Sequence, residues 1–169
     1  MSHVALIELA FKSIELMAEA AASLGGKLVC GQETYKWYGM WLNDYHANEA
    51  AVTQGVNPKT FGKCDHAIVF PGCQYEVGVI RNKDGSYKMI YDNYVGGGGL
   101  EKVCGKGLSK LTQNYGVKLG HQTLKKRGFK RKLKETTLPD GTIRPSTKGT
   151  RNRNYSGRRI RPAAGWRDL

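Results

Sequence analysis

Apolar and polar positions alternate at the start of the chain, with Ala5, Ile7, Leu9 and Phe11 on one side and Glu8 and Lys12 on the other. A period of two marks a half-buried strand. The period then lengthens: Ser13 offers an N-cap oxygen, Ile14, Met17, Ala21 and Leu24 recur at helical spacing, and Gly25-Gly26 stops the run. These signals predict a helix over 13–24. Lys27 to Tyr38 is rich in β-formers. Its aromatics, Tyr35, Trp37, Tyr38 and then Trp41, lead into a stretch, 42–63, with loop signals and room for a short helix near Ala47 to Val52.

Alternation returns beyond that loop. Ala67 to Phe70 reads as a short buried strand ended by Pro71-Gly72. Tyr75, Val77 and Val79 alternate with Glu76 and Gly78, and Asn82-Lys83-Asp84-Gly85 supplies a turn before Tyr87, Met89 and Tyr91 resume the pattern. This predicts a β-hairpin. Gly96 to Gly99 precede an apolar stripe of Leu100, Cys104, Leu108, Leu111, Tyr115 and Leu119, which predicts one helix ending in Lys125-Lys126-Arg127-Gly128. Within it, Gly116 and Gly120 would let another backbone approach closely. Phe129 to Leu138, a Pro139-Asp140-Gly141 turn and Thr142 to Arg144 read as a closing hairpin. The order of elements predicts an α+β domain over 1–144, an antiparallel sheet with two helices on one face in a split β-α-β, ferredoxin-like order.

Charge changes this picture more than composition does. Residues 1–117 hold 11 Lys/Arg and 11 Asp/Glu, whereas 118–169 hold 16 and 3, so the back of the chain carries the whole formal charge of +13. From Pro145 onward Arg, Asn, Gly, Ser and Pro dominate. Such a segment buries too little apolar surface to offset its ordering entropy, which predicts a disordered cationic tail over 145–169. Concentrated positive charge draws polyanions, nucleic acid first among them. At 169 residues and 40% hydrophobic content the chain suits one core plus that tail. Its longest apolar runs fall far short of a membrane span, and no secretory leader pattern opens it. Four dispersed cysteines, Cys30, Cys64, Cys73 and Cys104, fit reduced thiols in a cytoplasm rather than a disulfide framework.

Several segments in order also resemble a known family. They are Met1-Ser2-His3-Val4, Thr34-Tyr35-Lys36-Trp37-Tyr38-Gly39, Phe61-Gly62-Lys63-Cys64-Asp65-His66-Ala67-Ile68, Tyr75-Glu76-Val77-Gly78-Val79, Gly96 to Leu100, Leu111-Thr112-Gln113-Asn114-Tyr115 and Asp140-Gly141-Thr142-Ile143-Arg144. The likeness, over residues 1–144, is to small proteins of plastids, cyanobacteria and bacteriophages, the conserved hypothetical chloroplast reading frame thirty-five type. It implies no activity, cofactor or catalytic residue, and it does not extend to the basic tail.

The candidate chemistry is sparse. Cys64-Asp65-His66 with Cys73 supplies metal-capable side chains, but the spacing matches no standard zinc knuckle, so no metal or other cofactor is expected. A cysteine–histidine nucleophile would need an orienting third group, and no catalytic residue is assigned. Gly96 to Gly99 put flexible amides before a helix, as an anion site would, yet without the Gly-Lys-Ser/Thr of a phosphate loop. Trp37, Tyr38, Trp41, Asp65, His66, Gly97 and Gly98 are the candidate lining of a ligand pocket, against the alternative that the aromatics are core; Asp44 and Asp92 are acids that would have to converge there. Candidate nucleic-acid contacts are Lys125, Lys126, Arg127, Lys130, Arg131 and Lys132 at the helix end and Arg151, Arg153, Arg158, Arg159 and Arg161 in the tail, where Tyr155 and Trp166 are available to stack on bases. The expectation is a noncatalytic accessory protein that binds RNA or a ribonucleoprotein. The alternative is a phage-type inhibitor or adaptor that binds a host protein or small nucleotide through the aromatic and glycine-rich loops.

Overall fold

A computed structural model describes residues 4–39, 62–128, 134–139 and 143–146. Its main sheet has five strands: β1 (Val4–Phe11), β2 (Lys27–Cys30), β3 (His66–Val69), β4 (Val77–Arg81) and β5 (Tyr87–Asp92). They lie in the order β1-β5-β4-β3-β2, antiparallel at every pairing. β1 and β2 therefore run parallel at opposite edges, joined by helix α1 (Ile14–Ser23). The architecture is α+β, as the element pattern predicts, but the ferredoxin-like order does not appear among the described strands. That order needs β1 inside the sheet with one strand between it and β2, whereas here the whole β3-β4-β5 meander separates them. Alternation along a strand says which face is buried and nothing about which strand lies beside it.

The α1 boundary is set by chemistry at both ends. Ser13 Oγ accepts from the Leu16 amide at 3.2 Å, and the Gly26 amide donates to the Ala21 carbonyl at 2.9 Å. Leu16, Met17, Ala20 and Ala21 are its buried face, with Ile14 and Leu24 partly buried beside them. The predicted hairpin forms between β4 and β5 with Gly85 in the left-handed region (φ +81°). In its turn, hydrogen bonds from the Ser86 hydroxyl and amide hold the Asp84 carboxyl below its ordinary range.

Both faces of the central strands are covered. Helix-side residues Phe11, Ile68, Val77, Val79, Met89 and Tyr91 pack with α1, Leu100, Leu111 and Tyr115. On the other face Val4, Tyr35, Trp37, Ala67 and Ile90 form a second cluster. Gly78 makes this possible: a Cβ there would stand 2.5 Å from the Tyr35 ring. Burying Trp37 and Tyr35 is worth about 3–5 kcal/mol each relative to alanine, so this second face contributes substantially to stability.

Two sequence expectations for apolar positions fail. Leu9 is 59% exposed because β1 bulges between Ile7 and Phe11, which pair with Met89 and Tyr87, and the extra residues leave the ladder. The stripe from Leu100 to Leu119 does not form one helix. Helix α2 (Leu100–Cys104) ends at Gly105, Gly107 and Leu108 take positive φ (62° and 56°), and helix α3 (Ser109–Lys126) begins anew. Leu111 and Tyr115 reach the core, but steps of four advance about 40° around a helix. By Leu119 the row has drifted off the core-facing line, and that side chain is 40% exposed. Tyr115 anchors the junction of β1 and α1: its hydroxyl accepts from the Lys12 and Ser13 amides at 2.9 and 3.2 Å, and its ring meets Phe11 edge-on.

The last two strands, β6 (Lys134–Thr137) and β7 (Ile143–Ser146), pair with each other as a separate two-stranded sheet instead of closing the main one. β7 also crosses the tail boundary expected at 144. Gln113 Nε2 donates to the Ile143 carbonyl at 3.2 Å, His121 Nε2 lies 2.7 Å from Glu135 Oε1, and Val117, between them on the same helix line, is buried. The hairpin is thus seated on α3. No helix among the described residues is long and apolar enough to cross a membrane.

Candidate nucleic-acid interface

From Lys102 to Lys134 the chain contains eleven Lys/Arg and no Asp/Glu. α3 is the structural centre of that run. Its apolar line secures it to the core and leaves Lys110, Lys125 and Lys126 exposed, with Lys118 half-buried and Arg127 exposed at the C-cap. Basic residues at this end complement the partial negative charge of the helix terminus. None of them is paired with a carboxylate among the described residues, whose ion pairs are Lys36–Glu76 and His121–Glu135. Lys125, Lys126 and Arg127 therefore form one exposed cationic end. Lys130, Arg131 and Lys132, and the tail arginines Arg151, Arg153, Arg158, Arg159 and Arg161, lie outside the described residues, as does the expected helix near Ala47 to Val52.

The candidate pocket residues fall into separate groups, with Tyr38 and Gly97 both beside Asp92 and with Asp65 and His66 on other partners. Trp37 is buried in the second cluster at 2% exposure, and a Cβ on Gly62 would come within 2.7 Å of its indole nitrogen. Trp41 and Asp44 lie outside the described residues. Asp65 lies just before β3 and His66 opens it, and the two side chains take different partners. Asp65 Oδ2 accepts from the Arg81 amide at 2.7 Å, while His66 Nδ1 accepts from the Gly31 amide at 3.1 Å and its ring lies 5.8 Å from that of Tyr87. Gly97 and Gly98 sit at the other end of the sheet. Residues 95–99 all have positive φ, and the Gly98 carbonyl accepts from the Gln74 amide at 2.8 Å. A Cβ on Gly98 would meet the Tyr75 ring at 2.7 Å. These glycines pack a left-handed turn against the sheet, and the five-residue α2 behind them offers no extended helix end.

At that same end one of the acids raised by the sequence, Asp92, does meet an aromatic residue, Tyr38. Asp92 is fully buried and accepts from the Tyr94 amide at 2.9 Å and the Tyr38 amide at 3.2 Å, while the Tyr38 and Tyr94 rings are 4.3 Å apart. Burial first, and then the charge of Asp92, pushes the nearby Tyr75 phenol above its ordinary value. A carboxylate satisfied by backbone amides is a clamp, here joining the end of β5 to the segment after β2. The sequence offers Asp92 as a converging acid, but nothing in its pattern says that backbone amides are its partners.

The cysteines diverge as well. Cys64 packs with the second cluster and its thiol donates to the Gln32 carbonyl at 3.0 Å, whereas Cys73 packs on the helix side. Burial pushes Cys64 and Cys104 up to about 12, so both are protonated thiols at neutral pH. No three His, Cys, Asp or Glu side chains gather as a metal site among the described residues. Gly116, expected to face a neighbouring backbone, has nothing within 4 Å of its Cβ position.

No family model, curated protein or solved structure matches the chain. The likeness to the plastid and phage family rests on the sequence segments alone.

Proposed function

We propose that this protein binds nucleic acid without catalysis, RNA foremost, through the basic surface that begins on α3 and continues toward the C-terminus. The observation that carries the reading is the acid-free run of eleven cations from Lys102 to Lys134, five of which ride on α3 and its cap with no carboxylate partner among the described residues. A fold that neutralised these charges internally would have no use for counterions. One that leaves them in water can neutralise phosphates and release the cations condensed on the nucleic acid, which favours binding. The alternative, an adaptor docking through aromatic and glycine-rich loops, draws less support because Trp37 is buried and Tyr75 fills the space beside Gly98.

Filter binding of the full chain to mixed-sequence RNA over a salt series tests this. With five or more phosphates neutralised, the logarithm of affinity should fall with the logarithm of salt at a slope of about −3 or steeper. Absent retention at low salt, or a flat salt dependence, would end the proposal.

A further inference from the structure

We infer that the partner is a single nucleic-acid strand whose phosphates follow one flank of α3, the row of Lys110, Asn114, Lys118, His121 and Lys125; the inference rests on the nucleic-acid reading above. These residues are four, four, three and four positions apart. At 100° per residue they stay within roughly 80° of arc over about 22 Å of helix. Core-facing Leu111 and Tyr115 bound the row on one side, and hairpin-facing Gln113 and Val117 on the other. Lys110 and Lys125 are exposed, and a half-buried stem at Lys118 still leaves an ammonium able to reach water.

The opposite arc of α3 decides between one strand and two. From Ser109 through Thr112, Gly116 and Leu119 to Thr123 it carries no charge, and its cations, Lys126 and Arg127, stand only at the helix end. A helix lying in the major groove of DNA, about 12 Å wide, meets phosphates on both sides and calls for cations on both flanks. The major groove of an RNA duplex is too narrow to admit side chains at all. A helix basic along a single flank until its last turn matches a single line of phosphates, which the cations of that turn then meet at one end. The row's one ring, the His121 imidazole, is held by Glu135, so recognition through the row is of the backbone and tolerant of sequence.

One carboxylate stands on this row. Glu135 reaches His121 Nε2 at 2.7 Å from the seated hairpin and is about half exposed. It repels a phosphate there, and Glu135→Gln keeps a hydrogen-bonding group to His121 while removing the charge. That substitution should tighten strand binding by about two- to five-fold, the scale of a partly exposed charge.

The test uses fluorescence anisotropy with the full chain, a labelled single-stranded RNA of about twenty nucleotides and the blunt duplex made from it. The strand should bind more tightly than the duplex at equal salt. Combining Lys110→Gln, Lys118→Gln and Lys125→Gln should weaken it and make the salt slope shallower by about 2, the share of three phosphates. Lys27→Gln, Lys63→Gln and Lys83→Gln together remove the same charge from exposed positions off the row and should leave the slope unchanged. Equal or tighter duplex binding, or equal losses from the two triple variants, would overturn the single-strand row and leave the broader nucleic-acid reading standing. Failure of both RNAs to bind would remove both.

Discussion

Gly98→Ala perturbs the left-handed turn at its tightest point. Two costs combine there. The residue has φ +59°, where an L side chain costs about 1–2 kcal/mol. The new methyl would also lie 2.7–2.9 Å from three atoms of the Tyr75 ring, which is 5% exposed and has little room to yield. Overpacking of this kind costs about 1–3 kcal/mol. The total of about 2–5 kcal/mol corresponds to a melting temperature lower by about 5–15 °C for a chain of this size. Gly96→Ala is the internal control: φ is +68° but nothing lies within 4 Å of its Cβ position, so only the backbone cost applies, a few degrees at most by the same conversion. Thermal unfolding followed by circular dichroism separates the two. Adding Tyr75→Leu to each variant completes the cycle, since removing the ring should recover the excess at Gly98 and none at Gly96. Equal destabilisation by the two glycine changes would refute the packing of the turn on Tyr75.

Other substitutions and conditions probe the rest of the fold. Tyr115→Phe leaves the Lys12 and Ser13 amides without their acceptor and should cost about 1–3 kcal/mol in urea unfolding while α1 helicity is retained; a loss near zero would mean that water serves those amides equally well. Brief alkylation of the native protein, read by mass spectrometry, should modify exposed Cys30 first and half-buried Cys73 slowly, and reach Cys64 and Cys104 only after unfolding. The raised thiol values carry a pH sign: a group protonated more firmly when folded stabilises the fold below its ordinary value near 9, and that contribution is lost as pH rises from about 9 toward about 12. Urea midpoints should therefore be level from pH 7 to about 8.5 and fall above it, less steeply in Cys104→Ala.

What could be read from the sequence was local. The β4–β5 hairpin was legible because alternation on both sides and the Asn82 to Gly85 turn agree, and α1 because Ser13 and Gly25-Gly26 bracket it. Strand order was not legible, since the same alternation fits several neighbours. Nor was the break between α2 and α3, because the apolar stripe from Leu100 to Leu119 keeps helical spacing straight through Gly105 and Gly107. The exposure of Leu9 depends on a bulge that only the pairing with β5 reveals. In the candidate pocket, Asp65 and His66 are adjacent in the chain, but Asp65 precedes β3 and takes the Arg81 amide while His66 takes the Gly31 amide, partners that depend on strand pairing. The cationic end of α3 was legible because charge density survives folding wherever an apolar stripe fixes which side faces water.

A basic surface of this kind should hold nucleic acid when the protein leaves the cell. Purifying the full chain at low salt, with and without nuclease, and comparing its hydrodynamic size and ultraviolet absorbance ratio addresses that directly. A large, nucleic-acid-rich species should collapse to the size of the bare protein after nuclease or in high salt. Identical elution and a protein-like absorbance in both preparations would contradict it.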